Sequence, residues 1–152
     1  MPPGSGRDAY LPLLLLADDS TDEVRSYYQT GTLYALDDAP GGRPVGMILT
    51  IDAPDGSVEL KAVAVAESSH GQGVGTGLLL AVLDALRARG VRRVVVGTAS
   101  AGVGQLAYYQ KAGFRLSHVE RDFFSAERGY PADLVENGIP VRDMVWMDQV
   151  LA

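Results

Sequence analysis

The sequence contains no cysteine and only two histidines, His70 and His118. The absence of cysteine excludes disulfides, thiolate metal ligands and a cysteine nucleophile. Two histidines without HxxxH or HExxH spacing are too few for a convincing metal centre. We therefore expect chemistry that uses neither a metal ion nor a covalent cysteine intermediate.

Positive charge and long apolar runs are also scarce. The formal net charge of −6 argues against a nucleic-acid-binding protein. It suits a cationic small molecule, although a charge of this sign could equally serve solubility alone. The apolar run 10–17 is shorter than the ~20 residues of a membrane helix. No signal-peptide cleavage pattern follows it, so we expect a cytoplasmic protein without a membrane partner.

The length of 152 residues suits a single domain. We expect residues 1–7 to be disordered and residues 8–152 to form the domain. Ser20 and Glu23 have capping-box spacing, which predicts that a helix begins there and ends at Gly31. The whole pattern predicts a helix, three strands, a helix, a strand, a helix and two strands. This order is typical of an α/β (α+β) fold with a mixed, mostly antiparallel central sheet and helices on both faces.

Four glycines occupy alternate positions in "SSHGQGVGTGLLLAVLDALRARG", residues 68–90, just before an apolar helical pattern. Unpaired backbone N–H groups converge at the start of a helix, where the helix dipole adds positive potential. Such a loop can bind phosphate groups. Neither GxxxxGK[ST] nor GxGxxG is present, which excludes the two commonest nucleotide-binding motifs. Close packing between a strand and a helix is the alternative explanation of the glycines.

Three segments in this order resemble the GNAT superfamily of acetyl-CoA-dependent N-acetyltransferases. They are "VELKAVAVAESSHGQGVGTGLLL", "RRVVVGT" and "YYQKAGF". Gly73 and Gly75 fit the family's [QR]-x-x-G-x-[GA] loop, whereas His70 stands at its first position. The resemblance covers residues 8–152 and implies a GNAT-like acyl-CoA acyltransferase fold with acetyl-CoA as cosubstrate.

The chain departs from the family pattern at two places. No asparagine precedes the second family helix, so we expect either that Thr98 or Ser100 makes its contact with pantetheine or that this contact is lost. The family's usual first strand is nearly absent, leaving only "GRDAY". The segment 122–144 resembles an uncharacterised bacterial subgroup and brings no substrate with it.

The resemblance also implies where acetyl-CoA binds. The diphosphate would lie on the amides of the glycine loop, and pantetheine would pair with the strand backbone through a gap before "VVVGT". The expected cofactor-binding residues are Val63, Ala64, Val65, His70, Gly71, Gln72, Gly73, Val74, Gly75, Thr76, Gly77, Thr98 and Ser100.

Direct attack by an amine on the thioester needs a base and an acid. Glu59 is the candidate base, and strand alternation predicts that it shares a face with Val63 and Val65. A water relay, or a purely solvated role for Glu59, is the alternative. Tyr109 occupies the tyrosine position of the family's Y-x-x-x-G-F motif and is the candidate acid, because a phenol of pKa ~10 stays protonated at neutral pH. Tyr108 is expected to serve packing.

The predicted function is acetyl transfer to a primary amine of a small molecule in a ternary complex. The alternatives are a non-catalytic acyl-CoA-binding module and acetylation of a protein amine. Glu120 and Asp122 could bind a cationic acceptor, although a run of surface charge explains them equally well. The final strand could pair across a homodimer. Four aromatic residues are candidates for the acceptor wall, with core packing an equal alternative for each: Phe123, Phe124, Tyr130 and Trp146.

Overall fold

A computed structural model describes residues 6–18, 20–66 and 73–151. Its helices are α1 (Leu11–Ala17), α2 (Thr21–Tyr27), α3 (Val74–Ala88) and α4 (Val103–Lys111). Its strands are β1 (Thr32–Asp37), β2 (Pro44–Asp52), β3 (Val58–Val65), β4 (Arg93–Ala99), β5 (Arg115–Glu120), β6 (Val135–Glu136), β7 (Ile139–Pro140) and β8 (Met144–Val150).

Six of these strands form one sheet in the order β1-β2-β3-β4-β8-β5, and β6 pairs with β7 in a separate hairpin. Only the β3–β4 pair is parallel, and the other pairs in the sheet are antiparallel. The predicted mixed, mostly antiparallel sheet is therefore confirmed.

The two faces of the sheet carry different helices and different cores. Buried residues of α3 and α4, such as Leu83 and Tyr109, pack on one face with Ile48 of β2. Buried residues of α1 and α2, such as Leu14 and Val24, pack on the other face. We call these the α3–α4 face and the α1–α2 face.

The N-terminal part contains more helix than the patterns predict. A 3-10 turn at Arg7–Tyr10 leads directly into α1, where the family's first strand would stand. The capping box is confirmed, because the Ser20 side chain accepts a hydrogen bond from the Glu23 backbone N–H. The helix that begins there ends at Tyr27, before the expected Gly31.

Arg7 is part of the folded domain, one residue before the expected boundary. It is 1 % exposed, and its guanidinium donates hydrogen bonds to the carbonyl oxygens of Tyr28, Thr30 and Gly31. These bonds satisfy the Tyr28 carbonyl at the end of α2 and two carbonyls of the turn that follows it.

In the described part of the chain, every helix is too short or too polar to cross a bilayer.

Candidate functional site

The central feature of the site is the place where β3 and β4 separate. Their parallel pairing covers only Val58–Val94, Glu59–Val95 and Leu60–Val96. Beyond these pairs, β3 continues against β2 and β4 continues against β8. A cleft of about 1040 Å³ opens there and is lined by both strands. The gap expected between these strands is thus present.

A β-bulge at Lys61 changes which side chains of β3 face which helices. Thr50 of β2 pairs with Leu60, but the next residue, Leu49, pairs with Ala62. One extra residue in a strand reverses the alternation beyond it.

The reversal places Glu59 and Val63 on opposite faces. Leu60 and Val63 both pack on the α3–α4 core, whereas Ala62 packs on the α1–α2 core. Glu59, paired with Ile51, therefore lies on the α1–α2 face, where burial and Asp18 raise the pKa of Tyr27 and the charge of Glu59 adds a smaller effect. The prediction that Glu59 shares a face with Val63 and Val65 is wrong.

The glycine loop is described only from Gly73 onward; His70, Gly71 and Gln72 lie outside the described residues. Gly73 precedes α3 with φ of 73°, a left-handed conformation that favours glycine. Several predicted cofactor-binding residues line the cleft together: Val63, Ala64, Val65, Gly73, Val74, Gly75, Thr76 and Thr98. Gly77 and Ser100 do not line it.

Two adjacent tyrosines of α4 enter the cleft from the α3–α4 face. The Tyr108 hydroxyl donates a hydrogen bond of 2.7 Å to the Gly75 carbonyl oxygen in the first turn of α3. Tyr108 thus joins two helices, in addition to the packing role expected for it. Burial raises the pKa of Tyr108 to about 12.

Tyr109 is more deeply buried, at 6 % exposed, and packs edge-on against Phe114 with ring centroids 5.8 Å apart. Within the described residues, no hydrogen-bond partner is found for its hydroxyl. Burial, with a smaller effect of Tyr108, raises the pKa of the Tyr109 phenol. Tyr109 therefore carries a proton at neutral pH that no described residue accepts.

A second group of polar residues lines the cleft from the α1–α2 face. The Asp18 carboxylate accepts hydrogen bonds from the Tyr27 hydroxyl at 3.1 Å and the Tyr130 hydroxyl at 2.7 Å. Burial, followed by interactions with Asp18, raises the pKa of both phenols. Sequence reasoning missed Asp18, Glu23 and Tyr27, because only the folded chain brings α1 and α2 to β3.

The four predicted aromatic residues all line the cleft. Trp146 lies against the bare Cα of Gly97, where an added Cβ would be 2.9 Å from the indole. The indole N–H donates to the Glu120 carboxylate at 3.1 Å, and His118 stacks on the same ring. Asp122, unlike Glu120, does not line the cleft.

The lining of the cleft is negatively charged. Lining carboxylates outnumber lining cations among the described residues: Asp18, Glu23, Glu59, Glu120 and Glu136 against Lys61 and Arg128. Arg128 pairs with Glu120 at 3.7 Å, and the Lys61 ammonium lies 5.0 Å from the centre of the Tyr27 ring. Across the described chain, no ion pair involves Glu23 or Glu59. No metal-binding cluster of His, Asp and Glu occurs in the same residues.

The chain matches the model of the Acetyltransferase (GNAT) family over residues 7–114. It is 36 % identical over 138 residues to the uncharacterised N-acetyltransferase YvbK of Bacillus subtilis, covering 91 % of this chain and 86 % of that protein. Among solved structures it resembles an IAA acetyltransferase from Bacillus cereus, with 35 % identity, a TM-score of 0.83, and coverage of 92 % and 91 %. It also resembles a GNAT family acetyltransferase from Elizabethkingia anophelis with acetyl-CoA bound, with 34 % identity, a TM-score of 0.83, and coverage of 92 % and 89 %.

Proposed function

This chain belongs to the GNAT family of acetyltransferases, and we propose on that basis that it acetylates a primary amine of a small molecule. It is an acetyl-CoA-dependent acyltransferase, with acetyl-CoA as cosubstrate. The observation that carries the proposal is the cleft at the end of the β3–β4 pairing. Tyr109 lines it from the α3–α4 face and Glu59 from the α1–α2 face.

The α3–α4 side of the cleft fits the cosubstrate. Gly73, Val74 and Gly75 line the cleft at the start of α3, where backbone N–H groups attract a diphosphate. Val63 and Val65 belong to the part of β3 that lies beyond its pairing with β4. Pantetheine would follow this strand, and the Val63 N–H would stabilise the negative oxygen formed when the thioester is attacked.

The proposed roles of Glu59 and Tyr109 follow from their opposite faces. Glu59 removes a proton, directly or through water, from an amine that approaches along the α1–α2 face. Tyr109 donates its proton to the departing thiolate on the α3–α4 face. The base and the acid thus stand on the two sides of the reacting carbonyl, and the acetyl group passes to the amine in one ternary complex.

The carboxylates of the α1–α2 side favour a cationic acceptor. A primary amine of pKa ~10.4 reaches the cleft as an ammonium ion. Glu23 and Glu59 form no ion pair with any cation of the described chain. Their charges would therefore attract the ammonium ion, and Glu59 would then take its proton. A cytoplasmic location and a homodimer remain predictions.

The first test measures thiol release from acetyl-CoA against a panel of small primary amines. We expect turnover by the wild-type chain and a fall in kcat of about 10²-fold in Tyr109→Phe, because general acid catalysis typically contributes that much or more. Binding of acetyl-CoA, measured by calorimetry, should change little because only the phenolic oxygen is lost.

The Glu59→Gln variant tests the base. Its kcat should fall by about 10²-fold at pH 7 and recover as the pH rises toward the amine pKa of ~10.4, where the free amine needs no base. Glu127→Gln, an exposed glutamate outside the cleft, is the matched control and should behave as wild type.

Two results would redirect the proposal. Tight acetyl-CoA binding without turnover of any amine would indicate a non-catalytic acyl-CoA-binding module. Turnover confined to peptides with a free N-terminus or lysine would indicate a protein acceptor.

A further inference from the structure

Two segments more than 100 residues apart meet at the cleft, which Asp18, Arg128 and Tyr130 line. The Tyr130 hydroxyl donates to Asp18 Oδ1 at 2.7 Å, and the Ser20 hydroxyl donates to the Arg128 carbonyl oxygen at 2.5 Å. Asp18 and Ser20 stand between α1 and α2, whereas Arg128 and Tyr130 belong to the connection between β5 and β6. We call these two contacts the Asp18–Tyr130 bridge.

The contact is tightly built. Ser20 is fully buried and Tyr130 is 5 % exposed. Gly129 between the bonded residues has φ of 86°, and a Cβ there would lie 2.6 Å from the Ser20 hydroxyl oxygen. The Tyr130 ring also packs edge-on against Phe124, with centroids 4.9 Å apart. This close fit indicates that the connection between β5 and β6 is held firmly against the segment between α1 and α2.

The bridge also fixes groups that face the acceptor. Asp18 Oδ1 accepts from the Tyr130 hydroxyl and Asp18 Oδ2 from the Tyr27 hydroxyl. The charges of Asp18 and Glu59 both act on Tyr27, and the Lys61 ammonium lies over its ring. Tyr130, Asp18 and Tyr27 therefore form one hydrogen-bonded chain on the side of the cleft that carries the candidate base.

We propose that the Asp18–Tyr130 bridge closes the acceptor end of the cleft and restricts the acceptor to compact amines, with Tyr130 as a positioning residue. This inference rests on the proposed function and names its acceptor class more narrowly. The bridge joins the two walls across which an extended peptide would otherwise pass. It acts on the acceptor and not on acetyl-CoA, because its residues lie on the α1–α2 side and in the β5–β6 connection.

The test compares Tyr130→Phe with Tyr28→Phe. Each variant removes one tyrosine hydroxyl that donates to an aspartate, since Tyr28 donates to Asp8 at 3.0 Å outside the cleft. In Tyr130→Phe we expect the KM for a small amine to rise about tenfold, with the KM for acetyl-CoA within twofold of wild type. Amine-bearing peptides should gain in kcat/KM relative to the small amine. Tyr28→Phe should show none of these changes.

Asp18→Ala and the double variant with Tyr130→Phe complete a thermodynamic cycle. If the bridge acts as a unit, the double variant should raise the amine KM no more than Asp18→Ala alone. Additive effects, or equal effects on both substrates, would overturn the proposal.

Hydrogen exchange gives a readout that does not depend on turnover. Amides of residues 125–130 should exchange faster in Tyr130→Phe than in wild type or Tyr28→Phe, because the connection loses its anchor. Unchanged exchange, or an unchanged amine KM in an active enzyme, would overturn the proposal about the bridge and leave the proposed function standing. A wild-type chain that acetylates no amine overturns the proposed function, whatever the exchange data show.

Discussion

At the scale of single residues, Tyr108 and Tyr109 show how chain neighbours acquire different roles. Successive residues of a helix point about 100° apart. Tyr108 consequently donates to a carbonyl of α3, whereas Tyr109 packs against Phe114 and lines the cleft. The motif singles out Tyr109, but the bond of Tyr108 depends on Gly75, 33 positions away, and no local pattern predicts it.

We expect the change to phenylalanine to destabilise the protein at Tyr108 and to leave its stability nearly unchanged at Tyr109. Tyr108→Phe should lower the free energy of unfolding by about 1 kcal/mol, because it removes a part-buried hydrogen bond. Tyr109→Phe should leave this free energy within about 0.5 kcal/mol, since its hydroxyl has no partner in the described chain. Urea denaturation of both variants measures the difference. A larger loss of stability in Tyr109→Phe would mean that its hydroxyl has a structural partner in solution.

At the scale of helices and strands, periodic patterns predict the elements and miss their local irregularities. The Ser20 cap and the glycine before α3 were predictable because each depends on residues that are neighbours in the chain. The sheet class was predictable from the order of the helices and strands. The α1 helix was not, since a short apolar run fits a buried helix as well as a strand. The bulge at Lys61 was also missed, because it depends on the register with β2.

Substitutions of the α3 glycines by alanine should show whether these glycines serve the stability of the fold or the binding of acetyl-CoA. Gly75→Ala should raise the stability of the free protein by about 0.5–1 kcal/mol, because alanine favours helix and its Cβ meets Val65 at an ordinary 3.4 Å. Gly77→Ala should do the same, since nothing lies within 4 Å. Gly75→Ala should bind acetyl-CoA more weakly if the diphosphate lies on the amides at the start of α3, whereas Gly77→Ala should bind it as wild type does, because Gly77 does not line the cleft. Thermal melts and calorimetry provide the two measurements.

Gly73→Ala is the matched comparison for these variants. It also has open space around its Cβ position, but its φ is +73°. Alanine there should destabilise the free protein by about 1 kcal/mol through backbone strain alone. Equal melting temperatures for all three variants would contradict this interpretation of the loop.

At the scale of the whole molecule, buried phenols couple the fold to alkaline pH. Burial raises the pKa of Tyr10 and Tyr108 to about 12, and Asp37 adds to the effect on Tyr10. Burial likewise raises the pKa of Tyr27, Tyr109 and Tyr130. These five side chains remain neutral in the folded chain at a pH where an unfolded chain ionises them.

We therefore expect the free energy of unfolding to fall as the pH rises above ~10, the pKa of an unfolded tyrosine. The unfolded chain then binds fewer protons than the folded chain, so raising the pH favours unfolding. Urea midpoints measured between pH 8 and 11 test this expectation, and Tyr130→Phe should make the decline shallower. A constant midpoint across that range would show that these phenols ionise as readily in the folded protein.

The single extra residue at Lys61 lets β3 lose one amino acid without turning over. Excising Lys61 would leave Leu60 opposite Thr50 and Ala62 opposite Leu49, so the side chains on both sides would keep their faces and only the local kink would disappear. A slip of the first half of β3 by one position against β2 would instead turn Glu59 toward the helices of the α3–α4 face, away from the amine. Acetyl transfer by a chain that lacks Lys61 would therefore measure what the kink itself contributes, with the proposed base still on its own side.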